Sequence, residues 1–403
     1  MLEMFSNSSN AKASAIEVFL AFLRLGLTSF GDPVAHIDYF RSEFVVRRKW
    51  LTDESYSDLV ALCQFLPGPA SSQVGLALGL RRAGPVGAFA AWAGFTLPSA
   101  VALILFAFGA TQWSWLAQSG AEHGLKLAAV AVVAQAVWGM SMSLRPDRLR
   151  SGVAVGAALL VLAMPGATGQ ILVICAGGIL GFWAVHLGHM TPASHHDYGI
   201  SKAAGLTMLL VFVLLLVGLP ALAFTAESQL ISVVSAFYKS GALVFGGGHV
   251  VLPLLQANVV PTGLVSNDMF LAGYGATQAM PGPLFTFAAY LGAAMTGTFG
   301  GWTGGLMLLV TIFVPAFLLV FGALPFWEDL RQRDSVQRMM AGVNAIVVGL
   351  LGAALYDPIW TSTIHSRVDF GIALASFGLL VYGRLSAAIV VVIAATAGWL
   401  ITL

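Results

Sequence analysis

A pair of helix-breaking strings occurs twice in this chain, about half its length apart. The first copy reads FGDP at 30–33 and QFLPGP at 64–69, and the second reads FGGG at 245–248 and QAMPGP at 278–283. Within apolar sequence, such breaks are tolerated where the interrupted backbone is buried in protein or lines a cavity. Broken segments in corresponding halves are typical of the substrate site of a transporter.

The composition places the chain in the membrane. Of its 403 residues, 58% are hydrophobic and 9% are charged, whereas soluble proteins average about 25% charged residues. The net charge is +1 and no basic stripe is present, so we expect the lipid bilayer as a partner and no nucleic acid. The sequence does not fix the oligomeric state, and a homodimer stays an open alternative.

Thirteen hydrophobic segments can be read along the chain, four of them broken. A membrane-spanning helix needs about 20 residues, and no period-2 alternation suggests a β-barrel. The segments lie at about 14–40, 57–80, 85–110, 121–143, 151–166, 169–189, 201–222, 228–256, 268–295, 297–323, 336–356, 368–384 and 386–403.

The two copies belong to a longer repeat, in which Phe30 pairs with Phe245 and Pro67 with Pro281. Six segments lie on each side of the connector helix, so the two units enter the membrane from opposite sides. We therefore predict an all-α polytopic membrane protein with two inverted-topology repeats, whose broken or re-entrant helices meet near the bilayer midplane. The predicted parts are a cytoplasmic tail at 1–13, a first repeat at 14–190, a connector with one transmembrane helix at 191–227 and a second, inverted repeat at 228–403.

Basic residues favour a cytoplasmic N-terminus and a periplasmic C-terminus. One loop opposes this topology, because Arg41, Arg47, Arg48 and Lys49 would lie outside if the first segment spanned fully, whereas the matching loop 257–267 carries no charge. If the first two segments of each repeat turn back at their breaks, both loops obey the rule. We therefore hypothesise re-entrant hairpins in both repeats.

The Pro-Gly-Pro strings are the first candidate for chemistry. A helix that begins at Pro69 would point unpaired N–H groups and hydroxyls into the break, and helix N-termini favour anions. Two such termini could hold one oxyanion from opposite sides, although the strings could also serve only to bend helices for packing. The residues concerned are Pro67, Gly68, Pro69, Ser71, Ser72, Pro281, Gly282, Pro283 and Thr286.

Three cations and two amides extend the candidate substrate site. Arg24 and Lys239 are equivalent in the repeat and precede the Phe-Gly breaks, so they either face substrate or snorkel to an interface. Lys126 is a substrate cation or an interfacial anchor. Gln64 and Gln278 are equivalent and either bind substrate or cap broken backbone.

The Phe-Gly breaks are candidates for gating or coupling. A histidine beside each break could relay protons, and the alternative is a hydrogen-bonded structural histidine. The gating or coupling set comprises Gly31, Asp32, Pro33, His36, Gly246, Gly247, Gly248, His249 and Asn344, the last being the equivalent of Lys126.

We expect no metal site, no cofactor and no catalytic residue. The histidines 186, 189, 195 and 196 occupy a hydrophilic stretch that is typical of a solvated loop, and Cys63 and Cys175 fit inert thiols in apolar segments. No nucleotide-binding loop or zinc-protease motif is present, which argues against an ATP-driven transporter and against an enzyme.

The strings FLRLGLTSFGDPVAHI, LVALCQFLPGPASSQVG, SGALVFGGGHVVLPLL and AGYGATQAMPGPLFTFAAYLGA resemble the chromate ion transporter family, in its long two-domain form. The resemblance covers nearly the whole chain. It implies export of chromate across the bacterial inner membrane, chromate resistance, energy from the proton motive force or membrane potential, and sulfate as a competitor.

One residue departs from the family's Gly-Gly-Pro motif, because Asp32 stands at its second glycine. A carboxylate beside an oxyanion path repels substrate unless it is protonated or paired, so Asp32 fits a proton-coupling group better than an anion contact. The alternatives to chromate export are a carrier or passive channel for sulfate or a related oxyanion, and a membrane-embedded enzyme.

Overall fold

The computed structural model describes residues 3–31, 33–112, 120–143, 148–164, 167–184, 200–244, 250–296, 300–327 and 333–401. Within these ranges the chain is helical and has no β-strand. Five of the described helices are long and apolar enough to cross a membrane. The expected all-α polytopic membrane fold is confirmed.

The described helices follow the order of the predicted segments, and α1 begins within the predicted tail. The first half contains α1 Glu3–Thr28, α2 Pro33–Phe40 with a π-helical continuation Arg41–Arg47, α3 Asp53–Phe65, α4 Ala70–Gln112, α5 Gly120–Ser143, α6 Arg148–Ala163 and α7 Ala167–Ala184. The connector is α8 Lys202–Ala226. The second half contains α9 Gln229–Ala242, α10 Val251–Val259, α11 Asn267–Ala279, α12 Phe287–Ala294 after a 3₁₀ turn, α13 Gly301–Ala323, α14 Asp334–Ala354, α15 Arg367–Val381 and α16 Ala387–Ile401.

Equivalent helices in the two halves begin in the same way. Helices α3 and α11 have 13 residues each and begin at equivalent positions of the repeat. The Thr52 hydroxyl accepts from the Ser55 backbone N–H before α3, and the Ser266 hydroxyl accepts from the Met269 N–H before α11. Each hydroxyl satisfies one of the donors that a helix leaves unpaired at its start. The sequence repeat is therefore also a repeat of local structure.

The first break folds α1 and α2 into a hairpin. Phe22 of α1 stacks on Phe44 of the returning segment, with 4.8 Å between ring centroids. At the open end, Arg48 Nη1 lies 3.5 Å from Glu17 Oε1. From Glu17 to Thr28 an α-helix rises about 17 Å, roughly half the hydrocarbon thickness of a bilayer. Between the charged end at Glu17 and the turn, α1 therefore covers about half of that thickness, although the whole helix has 26 residues.

A second hairpin, made by α3 and the start of α4, shares its open end with the first. Arg41 donates to Asp53 at the start of α3, with a nitrogen–oxygen distance of 2.7 Å. Arg82, where α4 kinks at Ala83 and Gly84, lies 3.1 Å from Glu17. We call the ion-paired residues Glu17, Arg41, Glu43, Arg47, Arg48, Asp53 and Arg82 the charged base. Both hairpins therefore place their turns at the end opposite the charged base.

The two halves share one core. Helix α5 packs against α16 of the other half, and α14 packs against α7 in the same way. Gly124 and Gly342 occupy equivalent places at these two contacts, where a side chain would collide with the backbone of the facing helix. Small residues allow such close approach of helices in lipid. The largest cluster of buried apolar side chains contains residues from both halves.

Candidate functional site

Each Pro-Gly-Pro turn is hydrogen-bonded to the Phe-Gly break of the other half. The Gly68 N–H donates to the Val244 carbonyl at 2.6 Å, and the Gly282 N–H donates to the Ser29 carbonyl at 2.9 Å. Ser29 and Val244 each directly precede a break and are equivalent in the repeat. The four predicted breaks thus meet in two reciprocal pairs, and neither half forms a complete pair alone.

Glycine is required at both turns. Gly68 has φ +120° and Gly282 has φ +104°, a region that residues with a Cβ rarely adopt. A Cβ at Gly68 would also lie 2.7 Å from Gln73 Nε2, and one at Gly282 would lie 2.8 Å from Ser99 Oγ. The turns therefore bring bare backbone into contact with their surroundings.

The start of α4 presents polar groups at the first turn. Gln73 Nε2 donates to the Pro67 carbonyl at 2.7 Å and fixes the approach to the helix. His36 Nδ1 lies 3.5 Å from Ser71 Oγ, and the tautomer of the ring decides which of them donates. The His36 ring meets Phe95 edge-on, with 5.2 Å between centroids. These contacts join the first break, the first Pro-Gly-Pro turn and the middle of α4.

The middle of α4 contributes further hydroxyls, beside Pro98. Ser99 Oγ donates to the Thr96 carbonyl at 3.1 Å, and the same stretch of helix faces the Gly282 turn. The polar residues around the start and middle of α4 are called the hydroxyl cluster: Ser29, Ser71, Ser72, Thr96 and Ser99.

Three hydroxyls of this cluster are buried and make no hydrogen bond within the described residues. They belong to Ser29, Ser72 and Thr96, which are 0%, 4% and 0% exposed. A buried hydroxyl without a partner costs about 1–3 kcal/mol. Ser72 lies in the first turn of α4, Thr96 lies in its middle and Ser29 directly precedes the first break. Such groups suit a ligand that accepts hydrogen bonds. They are donors that an oxyanion could use.

The equivalent positions in the second half are mostly apolar. Val244, Phe285, Phe313 and Ala316 correspond to Ser29, Ser71, Thr96 and Ser99, and the Phe285 and Phe313 rings lie 5.8 Å apart. Thr286, the equivalent of Ser72, already donates to the Pro283 carbonyl at 2.7 Å. The backbone arrangement is repeated, but among these equivalent positions the unpaired hydroxyls within the described residues belong to the first half.

The other predicted site residues lie at different places around this centre. Lys126 forms an ion pair of 2.7 Å with Asp268 at the start of α11. Gln278 is buried and its Nε2 has no partner among the described residues, whereas the equivalent Gln64 is exposed. The structure therefore brings Gln278, but not Gln64, into the protein interior.

The remaining predicted residues differ in burial, and some are not described. Half-buried positions are Lys239 on α9, Asn344 on α14, and Pro33, Pro67 and Pro281 beside the breaks, while Pro69 and Pro283 are buried. Arg24 on α1 and Gly31, with φ +112°, are exposed. Outside the described residues lie Asp32, Gly246, Gly247, Gly248 and His249, as do the four histidines of the hydrophilic stretch. Within the described ranges, no three metal-ligating side chains come together.

The family model described as Chromate transporter matches residues 16–182 and 231–399, which are the two halves on either side of the connector. The chain belongs to the chromate transporter family. Members of this family are membrane transporters and not enzymes, so the hydroxyl cluster is a candidate binding site and not a catalytic one.

Relatives within the family match nearly the full length. The chain is 28% identical to the chromate transport protein of Pseudomonas aeruginosa over 403 residues, covering 96% of this chain and 92% of the relative. It is 25% identical to the chromate transport protein of Cupriavidus metallidurans over 350 residues, covering 84% and 81%. It is 23% identical to the probable chromate transport protein of Synechococcus elongatus over 388 residues, covering 94% and 93%. No solved structure matches the chain at a significant level.

Sequence reasoning missed Ser29, Gln73, Thr96 and Ser99. Each is a common polar residue within an apolar segment, and none belongs to a Gly/Pro string. A signal was nevertheless present, because a comparison of equivalent positions in the two halves shows hydroxyls in the first half opposite apolar side chains in the second.

Proposed function

We propose that this protein is a secondary active exporter of chromate across the bacterial inner membrane and that it confers chromate resistance. Membership of the chromate transporter family supports chromate as the substrate. The observation that carries the proposal is the meeting of both Pro-Gly-Pro turns with the opposite breaks, beside buried hydroxyls that have no partner within the described residues.

The substrate would bind beside the start of α4. Chromate is a tetrahedral dianion that accepts hydrogen bonds at every oxygen, and the unpaired N–H groups at a helix start favour such an anion. The hydroxyls of Ser72 and Thr96 would complete its shell, while Arg24, Lys239 and Lys126 raise the local concentration of anions along the route. Sulfate has the same charge and shape and would compete.

Transport would proceed by alternating access between inverted repeats. The cross-half hydrogen bonds of Gly68 and Gly282 join the two repeats at the substrate, so a movement of one repeat against the other would open the site to one side at a time. Asp32 and the Phe-Gly breaks would act as the gate or coupling element. Energy from the proton motive force or membrane potential agrees with the lack of a nucleotide-binding motif.

The hairpins would be re-entrant, with the charged base in the cytoplasm. Supporting this, Glu17 and Arg48 lie together although the whole first hairpin separates them in the sequence, and a half-length helix lies between Glu17 and the turn. A cysteine at Arg47 in whole cells should react only with a membrane-permeant thiol reagent. Reaction with an impermeant reagent would contradict this topology.

Flux of radiolabelled chromate into everted membrane vesicles tests the function. We expect uptake that depends on an energised membrane, stops with a protonophore and is inhibited by sulfate. Flux that ignores the gradient would instead indicate a passive channel. Sulfate uptake without chromate uptake would indicate a sulfate carrier.

A further inference from the structure

The first turns of α5 carry two basic side chains that are both paired with acids of the second half. His123 Nε2 lies 2.8 Å from Asp369 Oδ1 of α15, and one turn further Lys126 Nζ lies 2.7 Å from Asp268 Oδ1 of α11. Each pair joins helices from different halves of the chain. The start of α5 is therefore held to the second half by ionisable contacts.

Asp369 is held firmly, while His123 is the more exposed partner of the pair. Asp369 Oδ2 accepts from the backbone N–H groups of His365 and Ser366 at 3.0 and 2.9 Å, which leaves Oδ1 for the imidazole. The side chain of Asp369 is 12% exposed and that of His123 is 37% exposed. A fixed carboxylate therefore faces an imidazole, the type of side chain that serves as a proton shuttle in proteins.

Helix α5 itself carries Glu122 and Lys126 beside His123, and the other ionisable groups come from a few neighbouring elements. The helices packed against α5 bring Asp369 and Arg367 from α15, with His365 before it, and Asp268 from α11, while Asp357 lies in the π-helical turn that follows α14. Helix α16 has no ionisable side chain, and the charged residues of α14, Asp334 and Arg338, lie in its first two turns. The first two turns of α14 lie towards the C-terminal end of α5, away from His123. Met140, near that end of α5, packs with Ala345 and Val348 of α14.

The equivalent contact in the other half cannot bind a proton. In the repeat alignment that pairs Gly124 with Gly342, the residues that stand for His123, Lys126 and Asp369 are Ala341, Asn344 and Ser151. The two contacts are otherwise alike, since α14 packs on α7 as α5 packs on α16. The ionisable groups are therefore not a requirement of the helix packing itself.

We propose that the pair of His123 and Asp369 is a proton-binding site that couples transport to the proton gradient, beside the gate or coupling element at the breaks, an inference that rests on the proposed function. With Nε2–H donated to Asp369, the incoming proton binds the other ring nitrogen, Nδ1, and converts the hydrogen bond into an ion pair. A proton shifts a conformational equilibrium only if the two conformations bind it with different affinity. Separation of α5 from α15 would provide that difference, because it removes the carboxylate that stabilises the imidazolium.

Under the proposed topology this site faces the periplasm, from which protons enter. Protonation from the periplasm would hold α5 against α15. When the two halves move apart, the proton would be released to the cytoplasm, so that each proton taken up crosses the membrane. Linkage is reciprocal. If protonation favours the conformation in which α5 contacts α15, that conformation must bind the proton more tightly than the one in which they are apart. Proton entry would in this way be linked to chromate exit at the hydroxyl cluster.

The test uses the full chain in liposomes, with His123→Gln as the variant and His365→Gln as the matched control. Glutamine can still donate to Asp369 but cannot titrate, and the His365 ring contacts the Ser362 carbonyl instead of the carboxylate. Two fluxes are measured: chromate transport driven by a pH gradient alone, and chromate exchange at equilibrium with no gradient. Both are followed from about pH 5.5 to 8, the range in which histidine titrates.

For His123→Gln we expect gradient-driven transport to fall by about tenfold or more and its pH dependence to flatten, as loss of the titrating group requires. Exchange should stay within about twofold of the unsubstituted protein, less than the tenfold change that about 1.4 kcal/mol represents. His365→Gln should retain both fluxes. A retained response to the pH gradient in His123→Gln, an equal loss in His365→Gln, or loss of exchange in His123→Gln alone would each overturn the proposal. Absence of chromate exchange in the unsubstituted protein would refute the proposed function instead.

Discussion

At the base of the first pair of hairpins, Arg41 donates to Asp53 with two nitrogens at 2.7 and 2.8 Å. At the equivalent place in the second half, Gln256 Nε2 donates to Asn267 Oδ1 at 2.7 Å. The hydrogen bond is kept and the charges are absent. Ion pairs and amide pairs can close the same joint between helices, so its geometry does not require charge.

The same contrast occurs at the opposite end of the hairpins. The first half lines the centre with the hydroxyl cluster, whereas the second half places Val244, Phe285, Phe313 and Ala316 at four of the equivalent positions. Duplication has kept the backbone, including both glycine turns, and the side chains have diverged. Under the proposed function, the repeated backbone would provide the moving parts of the site, and the divergent side chains would determine where the ligand binds.

The largest effect is expected where the backbone of the two halves is the same. Gly68→Ala would place a Cβ against Gln73 Nε2 at φ +120°, which costs about 1–2 kcal/mol in strain before any clash is counted. Gly84→Ala is the control, because φ is +64° there and no atom lies within 4 Å of the new Cβ. We expect chromate transport to be abolished in the first variant and kept in the second, as measured in vesicles. Equal loss in both would show that the positive φ alone matters, and not the crowding against Gln73 at this turn.

The next effect separates the two sides of the centre. Thr96→Val removes an unpaired buried hydroxyl at nearly constant volume, and Thr286→Val removes one that already donates to the Pro283 carbonyl. A hydrogen bond to a charged ligand contributes about 1.5–3 kcal/mol, which corresponds to more than tenfold in affinity. We expect the apparent affinity for chromate to fall that much in Thr96→Val and much less in Thr286→Val. The reverse order would place the anion in the second half.

The charged base should make stability depend on pH. Burial raises the pKa of the Glu43 carboxyl, but hydrogen bonds from Arg48 and Arg47 outweigh it and hold the pKa below its usual range. This carboxylate therefore stabilises the fold above the unfolded-state value of about 4.3 and loses that contribution as the pH falls through the lower folded value. In detergent, the melting temperature of the protein should fall more steeply below about pH 5 than that of Glu43→Gln. Parallel curves would mean that other carboxylates dominate acid unfolding.

The smallest effect on stability is expected from making the first base resemble the second. Arg41→Gln with Asp53→Asn replaces an ion pair whose side chains are 50% and 52% exposed. Exposed ion pairs contribute about 0–1 kcal/mol, so the melting temperature should hardly change. If the charges instead set membrane orientation, a fraction of the double variant should expose the 41–49 loop outside the cell. Cysteine labelling with an impermeant reagent measures that fraction, and a large drop in melting temperature would assign the pair to stability.

The positions of the four breaks, and the meeting of the two halves at these breaks, were predictable from the sequence. Most of the chemistry of the centre was not. Glycine and proline change backbone conformation by themselves, so the strings around Gly68 and Gly282 are readable without tertiary contacts. The hydroxyls of Ser29 and Thr96 become a site only when distant segments meet. The partner of Lys126 was equally hidden, because Asp268 lies far along the sequence in the other half.

The reciprocal bonds of the two glycine turns also bear on how such a chain can evolve. The Gly68 N–H donates to the Val244 carbonyl, and the Gly282 N–H donates to the Ser29 carbonyl. The hydrogen-bond acceptor of each turn is therefore encoded in the other half. A substitution that shifts one break changes the fitness of substitutions at a turn in the opposite half. If the two halves were expressed as separate chains, they would have to associate before either hydrogen bond could form. A single gene for both halves keeps the coupled substitutions together.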